Sequence, residues 1–129
     1  MSEDLVSVRY IVTDVQASVD WYVRNLGFSP GIVRPPAFAD VVRGNLRLLL
    51  SGAKSSAGQA MSDGDIPTPG GWNRIHLIVE DINAETARLQ AAGVQFRNEI
   101  VSGPGGSQVL LVDPSGNLVE LFQPAAPRR

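Results

Sequence analysis

The chain repeats itself. IVTDVQASVDWY (11–22) overlays IVEDINAETARL (78–89) at an offset of 67 (78 − 11), and GNLRLLL (44–50) overlays GNLVELF (116–122) at an offset of 72 (116 − 44). A repeat of this length means one supersecondary unit made twice. A unit too small to close a core of its own must bury its apolar face against something else. The repeat thus fixes the order of elements in both halves once it is read in one.

In the first half, SVRYIV (7–12) is rich in β-branched and aromatic residues and reads as a strand. Asp14 is placed to cap a helix. Val15, Val19, Tyr22, Val23 and Leu26 recur on one stripe of it, and Gly27 ends it. Residues 28–33 read as a short strand or loop, broken by Pro35-Pro36. FADVVR (38–43) is a strand that Gly44-Asn45 turns back into LRLLL (46–50). The second half follows suit. A strand spans 73–79, and a helix capped by Asp81 carries Ile82, Thr86, Leu89 and Ala92 before Gly93. Extended residues follow, then a Gly-Pro-Gly-Gly turn at 103–106, a strand at 107–112, an Asp-Pro-Ser-Gly turn at 113–116 and a last strand at 118–122. The reading is an α+β chain of a single domain over 1–129. It has a first βαβββ unit at 5–52, a connecting loop at 53–70 and a second unit at 71–124. Two cupped mixed sheets are expected around a cleft. The loop is rich in Gly, Ser and Pro, and serves as a linker or as a lid.

Composition narrows the chemistry. The net charge of −2 gives no reason to expect nucleic acid or an anionic membrane as a partner. The absence of cysteine excludes disulfides, thiolate metal sites and a cysteine nucleophile. The N-terminus has no apolar run of a signal peptide, and no stretch approaches the ~20 apolar residues of a membrane span, so a cytoplasmic location is expected. One histidine, His76, is present. No serine-nucleophile motif or phosphate-binding glycine loop occurs, and the glycines at 103–106 precede a strand rather than a helix.

Alternation along the strands places Ser7, Arg9 and Ile11 on one face of the first strand. The repeat makes Ser7 equivalent to Arg74, and Leu48 equivalent to Glu120. On these counts the inner surface takes Leu48 and Leu50 from the first half, and Arg74, His76, Glu120 and Phe122 from the second. Phe38 and Trp72 flank it as platforms for a flat ring. The result is an apolar wall with a few polar groups, suited to an apolar or aromatic small molecule. A bidentate pair between Arg74 and Glu120 is expected across it. His76 and Glu120 are the candidates for acid–base work.

IVTDVQASVDWYVRNLGF (11–28), IHLIVEDINAETARLQAAGV (75–94) and VLLVDPSGNLVELF (109–122) together resemble the vicinal oxygen chelate superfamily, which holds glyoxalase I, the bleomycin-resistance proteins and the extradiol dioxygenases. The resemblance covers roughly residues 5–124. It implies two βαβββ units, a homodimer and, in the metal enzymes, four ligands of the types His or Gln, Glu, His and Glu. Those positions fall here on Ser7, Leu48, Arg74 and Glu120. Serine is a poor ligand, leucine cannot coordinate, and arginine keeps its proton. No cofactor is therefore expected, and the resemblance favours the bleomycin-resistance branch: metal-independent binding and sequestration of a small molecule, with an antibiotic as the analogy. The alternative is a lyase, isomerase or dioxygenase of the glyoxalase type, with one divalent metal ion held by His76 and Glu120.

Overall fold

The structure, a computed structural model, describes residues 4–126. They divide into two compact units, 4–70 with 114–117, and 71–113 with 118–126. No helix of either unit is long and apolar enough to cross a membrane.

The first unit runs β1 (Val6–Ile11), α1 (Val15–Leu26), β2 (Ser29–Arg34), β3 (Phe38–Arg43) and β4 (Leu46–Ser51). Its sheet is ordered β1-β4-β3-β2, with β1 parallel to β4 and the other pairs antiparallel. Asp14 caps α1 by accepting from the Ala17 amide at 2.9 Å, and Gly27 closes it at φ 71°, where a side chain would be strained. Between these stops Val15, Val19, Tyr22 and Leu26 are buried, and the Tyr22 ring meets Phe28 edge-on at 5.5 Å. Losing the cap leaves helix amides without a partner. Asp14→Ala is expected to lower stability by about 1 kcal/mol, with Asp14→Asn retaining most of it, as read from urea unfolding midpoints.

Within the 53–70 connecting loop, residues 55–58 form a hydrogen-bonded turn. Ser55 donates to the Gly52 carbonyl at 2.7 Å and accepts from the Gly58 amide at 3.1 Å, across one turn of 3-10 helix at Ser56–Gly58. A Cβ on Gly58 would collide with the Gly52 carbonyl, so this turn needs glycine for close approach. Residues 114–117 belong with the same unit: Ser115 Oγ accepts from the Thr13 amide at 2.9 Å, and Asn117 donates to the Ile11 carbonyl at 2.9 Å.

The second unit runs β5 (Ile75–Ile78), α2 (Ile82–Ala91), β6 (Gln95–Phe96), β7 (Val101–Gly103), β8 (Gly106–Val112) and β9 (Leu118–Pro124). The order is β5-β9-β8-β6, and β7 also pairs with β8, so one strand of the expected unit is divided in two. Asp81 caps α2 as Asp14 caps α1, accepting from Ala84 at 3.0 Å. The stripe on α2 is thinner: Ile82 and Leu89 are buried, Thr86 is half-buried and Ala92 is exposed. Gln123 of β9 supports the helix start by accepting from the Ile82 amide at 2.8 Å.

Register corrects the sequence overlay at one point. Val8 pairs with Leu48 and Arg9 with Leu49 in the first sheet; Ile75 pairs with Val119 and His76 with Glu120 in the second. Because the caps Asp14 and Asp81 keep the offset of 67 (81 − 14), Arg9 corresponds to His76. The residue corresponding to Glu120 is therefore Leu49, at an offset of 71 (120 − 49), and not Leu48. The cause is the last hairpin. Four residues separate the equivalent pair Val42 and Arg47, but five separate Val112 and Leu118. Matching Gly-Asn to Gly-Asn hides the extra residue, and a slip of one residue exchanges the two faces of a strand.

Candidate functional site

In the second sheet, β5 and β9 run parallel in register, so every second residue of each stands on a common face. Ile75, Leu77, Val119 and Leu121 fill the buried face. His76, Ile78, Glu120 and Phe122 stand on the other, joined by Leu110 of β8 opposite Glu120. Glu120 is 7 % exposed and needs a counter-charge. Arg74, one residue before β5, supplies it: Nε donates to Glu120 Oε1 at 3.1 Å and Nη2 reaches the same oxygen at 3.0 Å. The guanidinium thus grips a single carboxylate oxygen instead of bridging both. Its Nη1 donates to the Trp72 carbonyl at 3.1 Å, tying the Gly70-Gly71-Trp72 approach to the same charge.

The other oxygen of Glu120 faces His76, whose Nε2 lies 3.5 Å from Oε2. The imidazole lies tilted over Phe122, ring centres 4.9 Å apart. The face therefore presents a neutralised carboxylate with one freer oxygen, an imidazole edge, and an apolar surface in which Ile78 is 54 % exposed. Trp72, 64 % exposed, carries the Arg97 guanidinium 5.4 Å from its ring centre. Arg97 was not legible as a site residue, because its partner lies 25 positions away (97 − 72) and neither residue is on a regular strand.

The remaining residues singled out from the sequence belong to the first sheet, where they separate. Ser7, Arg9 and Phe38 share its open face with Leu49 and Asp40. Leu48 and Leu50 do not. Both are fully buried beside Tyr10, Ala39 and Val41, on the face that α1 covers, so they are core and not ligand wall. The open face has its own ion pair. Arg47 Nε and Nη2 reach Asp40 Oδ2 at 2.8 and 2.6 Å, while Asp40 Oδ1 accepts from the Ile32 amide at 2.9 Å. Each unit thus has a sequestered carboxylate in the corresponding row, Asp40 on β3 in the first and Glu120 on the β4 equivalent in the second.

The donor set does not fit a metal ion. Among the described residues no group of three or more His, Asp or Glu side chains converges. His76 and Glu120 alone fall short of the three protein ligands of a catalytic zinc site. A divalent ion on Glu120 would also meet the Arg74 charge already bound there. Leu49, taking the place first read for Leu48, adds no donor.

Residues 4–121 match the family described as the Glyoxalase/Bleomycin resistance protein/Dioxygenase superfamily. No curated protein sequence matches the chain. Among solved structures, a member of this superfamily from Sphaerobacter thermophilus shares 28 % identity at a TM-score of 0.75, over 95 % of this chain and 98 % of that one. TnmS3, an antibiotic binding protein from a Streptomyces strain, shares 25 % identity at a TM-score of 0.72, over 96 % of this chain and 98 % of that one. A lactoylglutathione lyase from Agrobacterium tumefaciens, at 20 % identity and a TM-score of 0.71 over 95 % and 94 %, shares the fold.

Proposed function

The chain belongs to the Glyoxalase/Bleomycin resistance protein/Dioxygenase superfamily, and on that premise we propose that it binds and sequesters an apolar, aromatic-containing small molecule without a metal ion. The observation that carries this reading is the Arg74–Glu120 pair. The acid that the superfamily's metal enzymes would use as a ligand is here held by a guanidinium at 3.0 Å. Around it lie surfaces suited to a ring system: Phe122, Ile78 and the exposed Trp72. The freer oxygen of Glu120 and the edge of His76 would take a hydroxyl or amide of the ligand and set its orientation. The likeness to TnmS3 supports a natural-product antibiotic as the ligand class to test first. The same proposal takes the chain as a homodimer, to be read from its mass in native solution.

The test is a tryptophan-fluorescence titration with a panel of polycyclic aromatic antibiotics, the compound recovered afterwards for mass analysis. A saturable quench with the compound returned unchanged is expected. Phe122→Ala should weaken binding roughly tenfold or more, the value of an aromatic surface removed from contact. The competing reading, a lyase, isomerase or dioxygenase using one divalent metal at His76 and Glu120, rests on the 3.5 Å approach of those two groups. It requires near-stoichiometric metal in protein prepared without chelator, and turnover that collapses in Glu120→Gln. That pair of results would replace the binding proposal.

A further inference from the structure

The open face of the first sheet holds a charge, that of Arg9, with no counter-charge among the described residues. Its rows follow from register: Arg9, Leu49 and Asp40 form one, and Ile11, Ser51 and Phe38 form the next. Asp40 shares the row of Arg9, but β4 stands between them, which sets their strands roughly 9–10 Å apart. Both oxygens of Asp40 are also engaged already, by Arg47 and by the Ile32 amide. Among the described residues no other carboxylate comes within ion-pair distance of Arg9.

Arg9 is nonetheless held in place. Its Nη1 donates to Ser51 Oγ at 2.9 Å, and Ser51 is fully buried in the sheet. One edge of the guanidinium is thus anchored while the arginine as a whole stays exposed. Leu49, Ile11 and Phe38, each half-buried, surround the anchor with apolar surface. An immobilised guanidinium loses less entropy on forming a two-point contact than a free one, and its fork matches a carboxylate. Arg34, on the same face and also without an ion pair among the described residues, lies on the far edge strand with no such anchor among them.

We propose that Arg9, anchored by Ser51 and bordered by Leu49 and Phe38, is a recognition site for the carboxylate of a ring-bearing organic acid. The ring rests on the leucine and the phenylalanine, and the carboxylate takes the free side of the guanidinium. The site stands on residues of the first sheet alone and does not depend on the reading of the Arg74–Glu120 face.

The experiment uses 2-naphthoate and its neutral counterpart 2-naphthamide, titrated calorimetrically into the whole chain and into Arg9→Gln, Arg9→Lys and Arg43→Gln. Arg43 carries the same charge at the hairpin end, on the opposite face of β3, and controls for net charge. Naphthoate is expected to bind at least tenfold more tightly than naphthamide. Arg9→Gln should abolish that difference by weakening naphthoate alone, Arg9→Lys should restore part of it, and Arg43→Gln should leave it intact. Equal affinity of the unaltered chain for both probes, no binding of naphthoate, or equal loss in Arg9→Gln and Arg43→Gln would each overturn the proposal. Circular dichroism of each variant shows whether the fold is kept. A loss of fold in Arg9→Gln moves the decision to Arg9→Lys, where a preference for naphthoate over naphthamide as large as that of the unaltered chain would overturn the proposal.

Discussion

Arg74→Ala is expected to lower stability by roughly 3 kcal/mol, near the low end for breaking a buried ion pair. The cost does not measure the attraction between the partners. It is mostly the cost of leaving Glu120, 7 % exposed, with a charge and no cation against it. Arg74 itself has a side chain 28 % exposed, which admits some water to the pair and keeps the figure from the upper end. Its bond to the Trp72 carbonyl is lost at the same time, so the approach into β5 loosens with it. The double replacement Arg74→Met with Glu120→Leu should recover most of the loss, because apolar groups of similar size leave no charge behind. Urea unfolding of the two single variants and the double one closes the cycle, with a coupling of about 1–3 kcal/mol expected. A loss below about 0.5 kcal/mol for Arg74→Ala would mean that water already balances Glu120, as at an exposed pair.

Leu48→Ala is the second large effect, and it separates core from site. Leu48 is fully buried between the sheet and α1, so truncation removes apolar contact and leaves a cavity, at a cost of about 3 kcal/mol. Leu49→Ala, one residue on and half-buried on the open face, should cost less than half as much. Ligand titrations at temperatures where both variants are folded should be indifferent to Leu48. If Leu48→Ala weakened a bound aromatic compound while barely moving the unfolding midpoint, the register of β4 would be wrong.

That contrast also locates what the sequence could and could not convey. In the second unit the capping aspartate, the short link to β5 and the alternation of its residues carry enough information to bring Arg74, His76, Glu120 and Phe122 onto one face. The same reasoning works for Ser7 and Arg9, for the same reason: Asp14 sets the count. It breaks on β4, where the count depends on a hairpin with one residue fewer than its counterpart, so Leu48 and Leu50 exchange places with Leu49. Periodicity cannot detect this, since LRLLL is apolar on both faces over its last three residues. The division of a strand into β6 and β7 is hidden for a related reason: both halves pair with β8, and pairing is not a local property. Asp40 with Arg47 is a third case, one row apart on neighbouring strands and seven apart in number, visible only after the register is known.

The unequal distribution of charge on the first sheet bears on how quickly a ligand arrives. Its four strands contain Arg9, Arg34, Arg43 and Arg47 against a single acid, Asp40, while the whole chain is net −2. The excess acid therefore lies elsewhere, mostly at helix caps and in loops. An approaching organic anion is repelled weakly at long range, where only the total is felt. Within about 10 Å, the screening distance at ordinary ionic strength, it meets a local field of the opposite sign. Encounter with this sheet is then governed by the near field, so added salt slows the arrival of anions at a protein whose overall charge would predict the reverse.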